Sequence, residues 1–235
     1  MAAPHKDRLL VVIPAHNEEA SLPEVLAPLL ERGYQVVVVD DASEDSTASV
    51  AKKAGAIVLR LPVRLGAWCA TQTGLRFGLE RDVTTFVCMD GDAQHPARHI
   101  PQLLEEQERQ QADIVIASDP ERGGMLKQYT RRIFGIVSRT AVCDSTSGFR
   151  VMNRKVATLF AEEKISLFDY QDIGPLCLVR EAGMVVSEYS VAFEQRKHGS
   201  SRVFDCFLSL VDYMLQSFVL VVGDVTLSSK NKTER

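Results

Sequence analysis

The sequence has no regular spacing of cysteine, no surplus of basic residues and no long apolar run near residue 1. Its 235 residues include 5 cysteines, an odd number without a Cys-x-x-Cys pair. This argues against a zinc knuckle and a disulfide framework and favours a reducing cytoplasm. Lysine and arginine number 27 against 31 acidic residues, and the net charge of -4 argues against a nucleic acid partner. Residues 1–8 are polar, unlike a signal peptide, so we expect a cytoplasmic protein.

Short apolar runs alternate with helical patterns along the chain. The runs that indicate strands buried on both faces are Leu9–Ile13, Val36–Val39, Ile57–Leu61, Phe86–Met89 and Ile114–Ala117. The helical patterns are Glu18–Arg32, Asp45–Ala54, Gly66–Leu79 and Ala97–Gln110, the last led by Pro96 at its first position. This alternation predicts an α/β fold with a mostly parallel sheet flanked by helices. Further along we expect helices at Lys127–Ala141 and from about Tyr170 to Ala182, and a strand at Met184–Phe193.

The most informative segment follows the fourth apolar run. The chain continues there with Asp90-Gly91-Asp92, and we expect the glycine to let both carboxylates turn toward one point. Two hard oxygen ligands at a strand end suit Mg²⁺ or Mn²⁺, which could bridge the protein to a diphosphate. Polar clusters also follow the first two strands, at 14–19 and 40–47. Because parallel strands end at one edge of the sheet, the sequence predicts a binding site at that edge.

Some of these polar residues have an ordinary structural interpretation. We expect three of them to cap turns or helix starts: Asp40, Ser43 and Asp45. His95 and His99 are four residues apart, but Pro96 lies between them and no further ligand completes a zinc site. We therefore interpret both as surface or supporting histidines. The turn after the first strand lacks the G-x-G-x-x-G of dinucleotide-binding oxidoreductases, which argues against that class.

Five blocks of the sequence, taken together, resemble family 2 glycosyltransferases. The general blocks are Val11–Glu19, Val38–Thr47 and Met89–Pro96. The blocks Thr146–Arg150 and Phe193–Arg202 resemble the branch of dolichyl- and polyprenyl-phosphate sugar synthases. The resemblance implies the GT-A fold, a nucleoside-diphosphate-sugar donor, a divalent metal and inversion at the anomeric carbon. It also implies a catalytic domain at 1–202, with a nucleotide-binding half at about 9–118 and an acceptor half at about 119–202.

The resemblance also implies roles for individual residues. Those expected around the nucleoside and its sugar are Pro14, His16, Glu18, Val39, Asp41, Asp90 and Gly91, with the Asp41 carboxylate accepting hydrogen bonds from the base. The metal, Mg²⁺ or Mn²⁺, would be held by Asp90, Asp92 and Gln94, and Asp92 is also expected to be catalytic. Arg150 and Arg196 would face the diphosphate or an acceptor phosphate, because a guanidinium pairs well with phosphate oxygens.

Two acceptors remain open at this point. A polyprenyl phosphate brings its own ionised oxygen, whereas the hydroxyl of a glycan needs a carboxylate base within reach. Asp169–Asp172 partly resembles the segment that carries such a base in family members acting on hydroxyls, which makes Asp172 a catalytic candidate. The Thr146–Arg150 and Phe193–Arg202 blocks favour the lipid phosphate.

A non-catalytic nucleotide-sugar-binding protein is a third interpretation, and the two metal aspartates argue against it.

The C-terminal region has the pattern of an interfacial helix. Residues 203–223 place apolar side chains on one face but include Asp212 and Gln216, so we expect an amphipathic helix rather than a membrane span. This helix would pack on the domain or lie on the cytoplasmic face of a membrane, and residues 224–235 would form a disordered tail. The choice between uridine and guanosine donors stays open.

Overall fold

The apolar runs form strands because alternate side chains enter two different cores, one on each face of a single sheet. The computed structural model describes residues 8–120, 147–162 and 173–195. The strands in these residues are β1 (Leu9–Ala15), β2 (Gln35–Asp40), β3 (Ile57–Arg60), β4 (Thr85–Cys88), β5 (Ile114–Ser118), β6 (Arg150–Asn153) and β7 (Val186–Ser190). The helices are α1 (Leu22–Glu31), α2 (Thr47–Ala54), α3 (Ala67–Leu79), α4 (Ile100–Gln110), α5 (Arg154–Phe160) and α6 (Ile173–Glu181), with a 3₁₀ turn at Ala97–His99.

The seven described strands form one mixed sheet in the order β3-β2-β1-β4-β6-β5-β7. The first four of these run parallel, so that Val12 lies opposite Val37 on one side and Cys88 on the other. β6 is antiparallel to both of its neighbours, and β7 is parallel to β5. The predicted α/β fold with a mostly parallel, helix-flanked sheet is confirmed.

Helices cover both faces of the sheet, because successive side chains of a strand point in opposite directions. Leu9, Val11 and Ile13 of β1 enter the core that is covered by α1, α2 and α4. Leu10 and Val12 enter the opposite core, which is covered by α3, α5 and α6. The result is a three-layer arrangement in which the strand ends, rather than the faces, remain accessible.

Helix α3 approaches the sheet closely because it carries glycine where it crosses β1 and β4. A Cβ atom at Gly74 would overlap Val12 Cγ1, and one at Gly78 would overlap Phe86 Cε1. These glycines bring the axis of α3 close to the centre of the sheet.

Three expectations about the elements were wrong in detail. β3 is the edge strand and is not buried on both faces; the exposed fraction of Ile57 is 40%. α1 begins at Leu22 rather than at Glu18, because residues 18–21 form a turn. Pro96 is extended and precedes the 3₁₀ turn, and Pro101 occupies the first turn of α4 instead. β6 and α5 were not predicted.

Several expectations fall outside the described residues. They are the helix at Lys127–Ala141, the amphipathic helix at 203–223 and the tail at 224–235. Within the described part, the helix expected from about Tyr170 to Ala182 corresponds to α6, and the expected strand Met184–Phe193 corresponds to the shorter β7. No helix in residues 8–120, 147–162 and 173–195 has both the length and the apolar character that crossing a membrane requires.

Candidate active site

The crossover connections diverge between β1 and β4. The chain passes from β1 to β2 through α1 on one face and from β3 to β4 through α3 on the other. In open α/β sheets such a point leaves a crevice outside the carboxyl ends of the strands. The polar segments that follow β1, β2 and β4 all lead into this edge. The structure therefore brings together the three segments that the sequence analysis selected.

Pro14 helps to separate β1 from β4 at this edge. Ala15 O accepts the Asp41 N–H at 2.8 Å, so the backbone N–H and C=O of Ala15 face β2. Because these groups alternate along a strand, the backbone C=O of Pro14 faces β4. On that side the last bond to β1 runs from Met89 N–H to Val12 O at 3.1 Å. Pro14 lacks an N–H, so it cannot donate the next bond of the ladder to β4. Its carbonyl oxygen instead lies 3.5 Å from the position that a Cβ on Gly91 would take.

The loops after β1 and β2 are joined by reciprocal hydrogen bonds. The first loop donates the backbone N–H of Asn17 to Ser43 Oγ at 2.9 Å, of Glu18 to Thr47 Oγ1 at 2.8 Å and of Glu19 to Asp45 Oδ2 at 3.2 Å. The second loop returns the N–H of Glu44 to Asn17 Oδ1 and of Ser46 to Glu19 Oε2, both at 2.9 Å. Glu18 also accepts the Ser21 hydroxyl at 2.6 Å. Together these bonds make the two loops one platform.

Asp41 connects that platform to the loop before α3. Its carboxylate accepts the Leu65 N–H at 2.7 Å through Oδ1 and the Gly66 N–H at 2.8 Å through Oδ2, and the residue is almost fully buried. Its carbonyl oxygen lies 2.8 Å from His16 Nδ1, so that nitrogen carries the proton. Asp41 therefore ties the loop before α3 to the platform. Beside it lies a cavity of about 320 Å³ lined by Ala42, Arg60, Leu61 and Pro62.

Two of the three predicted caps are confirmed. Asp40 is fully buried, accepts the Ser43 N–H at 3.0 Å and has Arg60 Nε at 3.3 Å from its other oxygen. Asp45 accepts the Thr47 N–H at 2.9 Å at the start of α2. Burial raises the pKa of Asp45, but the hydrogen bonds that its carboxylate accepts, chiefly from Thr47, lower the pKa by more. The pKa of Asp45 therefore lies below its ordinary value. Ser43 instead accepts the Asn17 N–H.

Val39 does not present its side chain to the crevice. It is fully buried in the core beneath α3, so its backbone is the part that faces the strand ends. The expected role of Gly91 in the turn was also wrong in its physical reason. Gly91 does not have a left-handed backbone, and a Cβ there would meet its neighbours at ordinary contact distances. The left-handed residue of this turn is Ala93, with φ of 63°.

The Asp90–Gln94 loop presents one exposed and one buried carboxylate. The Asp90 side chain is 38% exposed, whereas Asp92 is 4% exposed and accepts the Gln94 N–H at 3.0 Å. The Asp90 N–H donates to His95 Nδ1 at 3.1 Å. Among the residues that the structure describes, no three His, Cys, Asp or Glu side chains assemble as a metal-ligand group. The predicted set of Asp90, Asp92 and Gln94 contains only two side chains of these types, because its third member is an amide.

The start of β6 packs against this loop and supports it. This contact is not predicted by the sequence. A Cβ on Gly148 would lie 2.5 Å from Asp90 Oδ1, so a side chain at this position would displace the Asp90 carboxylate. The neighbouring Phe149 ring stacks on His95 at 5.3 Å between centroids. The Thr146–Arg150 block resembles the lipid-phosphate branch of the family, but no pattern in the sequence indicates that Gly148 touches Asp90.

Arg150 is in the interior, where 1% of its surface is exposed. It lies opposite Cys88 in the sheet, and its Nε donates to Ser147 O at 2.7 Å. Burial raises the pKa of Cys88 to about 12, while the Arg150 charge acts to lower it and the Asp90 charge to raise it. The guanidinium is therefore close enough to Cys88 for its charge to act there. Arg196 and Asp172 lie outside the described residues.

The segment after β7 returns to the Asp90–Gln94 loop. Glu194 donates its N–H to Gln94 O at 3.0 Å, and its carboxylate forms an ion pair with Arg98 at 2.9 Å. Phe193 donates its N–H to Asp119 Oδ2 at 2.9 Å. These contacts place the residues before 196 beside the aspartate loop.

Comparison with known proteins adds a family and a set of relatives. The sequence model described as glycosyl transferase family 2 matches residues 10–168. Undecaprenyl-phosphate mannosyltransferase of Micrococcus luteus is 28% identical over 214 residues, which cover 83% of this chain and 87% of that protein. Polyprenol monophosphomannose synthase of Mycolicibacterium smegmatis is 28% identical over 221 residues, 83% of this chain and 81% of that protein.

A solved structure shares the fold at lower sequence identity. Glucosyl-3-phosphoglycerate synthase from Mycobacterium tuberculosis, in complex with Mn²⁺ and uridine-diphosphate-glucose, superposes with a TM-score of 0.67. The match covers 92% of this chain and 78% of that one, at 20% identity.

Proposed function

The chain belongs to glycosyl transferase family 2, and we propose on that premise that it transfers a sugar from a nucleoside diphosphate to the phosphate of a polyprenyl lipid. The chain is a glycosyltransferase with the GT-A fold. The observation that carries the proposal is the meeting of the loops after β1, β2 and β4 at one strand-end crevice. The relatives that act on undecaprenyl and polyprenol substrates support the lipid acceptor.

The nucleoside binds, in this proposal, on the platform formed by the first two loops. Each Asp41 oxygen accepts one backbone N–H, and a carboxylate has about four acceptor positions, so positions remain for the N–H groups of a base. His16 is oriented by its bond to Asp41 O and offers a ring for stacking. Pro14 and Glu18 border the crevice, and Val39 contributes backbone only.

A divalent cation suits the diphosphate end of the same crevice. Asp90 and Asp92 belong to one loop, and the Gly91 position between them faces Glu18 Cγ at 3.6 Å. An edge with this much negative charge would repel a diphosphate unless a cation bridged the two. Carboxylate and amide oxygens of Asp90, Asp92 and Gln94 fit Mg²⁺ or Mn²⁺. When bound, the cation would neutralise the charge of the departing nucleoside diphosphate.

The acceptor phosphate brings an ionised oxygen that attacks the anomeric carbon opposite the leaving group. Because that oxygen carries no proton, the step needs no strong general base, and Asp172 has a minor role in this proposal. Arg150 supplies positive charge beneath the aspartate loop rather than an exposed phosphate contact, since its side chain is buried. Arg196, two residues after Glu194, is the residue we assign to the phosphate itself.

We further propose the division into a nucleotide-binding half at 9–118 and an acceptor half at 119–202, followed by a membrane-surface helix at 203–223. This arrangement would hold the enzyme at the cytoplasmic face of the membrane that contains its acceptor. The full chain should float with vesicles that contain anionic lipid, and Phe207→Asp on the apolar face should abolish flotation. Equal flotation of both proteins would contradict this part of the proposal.

Thermal denaturation with Mn²⁺ and a panel of nucleoside diphosphates tests the donor and the metal. A ligand at a hundredfold excess over its Kd stabilises the folded state by about 2.7 kcal/mol. We expect UDP or GDP to raise the melting temperature, and EDTA or Asp92→Asn to remove the metal-dependent part of that rise. Glu44→Gln, an exposed residue with the same charge change, should retain it. If no nucleotide raises the melting temperature in the presence of Mn²⁺, the donor assignment is wrong.

A transfer assay with labelled donor tests the acceptor. Undecaprenyl phosphate should accept the sugar, Arg196→Ala should nearly eliminate transfer, and Asp172→Asn should reduce it only modestly. General-base catalysis contributes about 10²–10⁴-fold. A loss of that size in Asp172→Asn, with donor binding intact, would instead support a glycan hydroxyl as the acceptor and overturn the lipid-phosphate assignment.

A further inference from the structure

We propose that His95 and Gly148 are positioning residues that hold the Asp90 carboxylate in its working orientation. The inference rests on the proposed function, because it treats Asp90 as a ligand of the cation and diphosphate. Neither residue contacts the reacting atoms in this proposal; both act through Asp90. They come from two separate parts of the chain, the loop after β4 and the start of β6.

His95 takes the place of a strand partner for the Asp90 backbone. The ladder from β4 to β1 ends with Met89 N–H on Val12 O. The N–H of the following residue, Asp90, points away from β1 as alternation along a strand requires, and it donates to His95 Nδ1 at 3.1 Å rather than to a strand. Since Nδ1 accepts this bond, the ring proton of the neutral histidine is on Nε2. Nε2 lies 3.8 Å from Asp90 Oδ2, too far for a hydrogen bond. The Asp90 backbone is thus the group that His95 holds.

The ring of His95 is itself held by two aromatic side chains. It stacks on Phe149 at 5.3 Å with an interplanar angle of 23°, and it meets the edge of Phe193 at 4.8 Å and 61°. The exposed fraction of His95 is 6%. This packing directs Nδ1 toward the end of β4 and leaves the ring little freedom to turn away.

Gly148 bounds the Asp90 carboxylate on its inner side. A Cβ at Gly148 would lie 2.5 Å from Oδ1, 2.8 Å from Oδ2 and 2.9 Å from Cγ of Asp90. The backbone of Gly148 is not left-handed, so the effect of an added Cβ would come from its close approach to the carboxylate, which it would displace, rather than from the φ angle. The carboxylate is confined by this backbone on one side and is 38% exposed on the other. Its open side faces solvent at the strand-end crevice.

Two variants of His95 separate the hydrogen bond from the packing. His95→Phe keeps an aromatic ring between Phe149 and Phe193 but removes the acceptor, whereas His95→Asn keeps an acceptor oxygen near the Nδ1 position and removes the ring. Binding of Mn²⁺ is measured by electron paramagnetic resonance in the presence of UDP or GDP. We expect the Kd of Mn²⁺ to rise about tenfold or more in His95→Phe, as is typical when a partner of a metal ligand is lost, and to recover in part in His95→Asn.

A double-mutant cycle tests Gly148 without any ligand. Gly148→Ala should lower the melting temperature in the parent chain but have a much smaller effect in an Asp90→Ala background, where the carboxylate is absent. Gly91→Ala serves as the control for stability, because its added Cβ would meet neighbours at 3.5–3.6 Å. Equal losses of stability in the two backgrounds would overturn the proposed contact.

The two possible failures are distinguishable. If the parent chain binds no Mn²⁺ with either nucleotide, the proposed function falls and this inference falls with it. If the parent chain binds and His95→Phe, folded with the parent's melting temperature, binds with the same Kd, the inference alone is wrong. Weaker binding in His95→Phe with partial rescue by His95→Asn supports it.

Discussion

Replacing Asp41 by asparagine should destabilise the fold even without a ligand. The Asp41 carboxylate uses both oxygens to accept backbone N–H groups, from Leu65 at 2.7 Å and from Gly66 at 2.8 Å. Asparagine keeps one acceptor oxygen, but its NH₂ group would face the other backbone N–H, donor against donor. One charged hydrogen bond is lost, the second becomes a neutral one, and a buried N–H is left without an acceptor.

The expected magnitude follows from the charge of the acceptor. A hydrogen bond to a charged group contributes about 1.5–3 kcal/mol to stability, so Asp41→Asn should lower the free energy of unfolding by about that amount. For a chain of this size, 1 kcal/mol corresponds to about 2–4 °C in melting temperature. The variant should therefore melt about 3–12 °C below the parent.

Urea denaturation followed by far-ultraviolet circular dichroism measures this loss. Glu44→Gln is the matched control, because it makes the same change of charge on an exposed side chain in the same loop and should stay within about 0.5 kcal/mol of the parent. If Asp41→Asn and Glu44→Gln have the same free energy of unfolding, the bonds from Leu65 and Gly66 do not have the energetic role argued above.

Three further predictions concern the thiol, the pH dependence and the packing of α3. Burial raises the pKa of Cys88 to about 12, so iodoacetamide should modify Cys88 only after denaturation, and mass spectrometry that finds it modified in the folded protein would contradict this. Burial, aided by the Arg98 charge, lowers the pKa of His99 below its ordinary value of 6.5. The contribution of neutral His99 to the free energy of unfolding should therefore be complete above pH 6.5 and should be lost as the pH falls through the lowered pKa. Urea titrations at about pH 7 and pH 5 should show a smaller loss in His99→Gln than in the parent, and an equal loss would refute the assignment. Gly74→Ala should cost about 1–3 kcal/mol because its Cβ overlaps Val12, and Val12→Ala should recover part of that cost in denaturation; no recovery would count against the overlap.

The strands could be predicted where burial on both faces leaves an uninterrupted apolar run. β1, β2, β4 and β5 meet this condition, and their observed bounds differ from the predicted ones by only a residue or two. β6 does not, because it begins with Arg150, and the burial of a charged residue depends on the strands at its sides. The apolar composition of β3 predicts a strand buried on both faces, but its edge position depends on the order of the strands in the sheet.

The residue types at the strand ends were determined by the sequence alone: Asp41, Asp90 and Asp92 follow apolar runs, and parallel strands bring such ends to one edge. Family membership likewise follows from blocks that are local in the chain. The tertiary structure alone decided which groups support those carboxylates. The contacts of Asp41 with Gly66, of Asp90 with Gly148 and of His95 with Phe149 join residues far apart in the chain. The last two exist because β6 enters the sheet antiparallel beside β4, and that placement depends on how both faces of the sheet pack rather than on any local pattern.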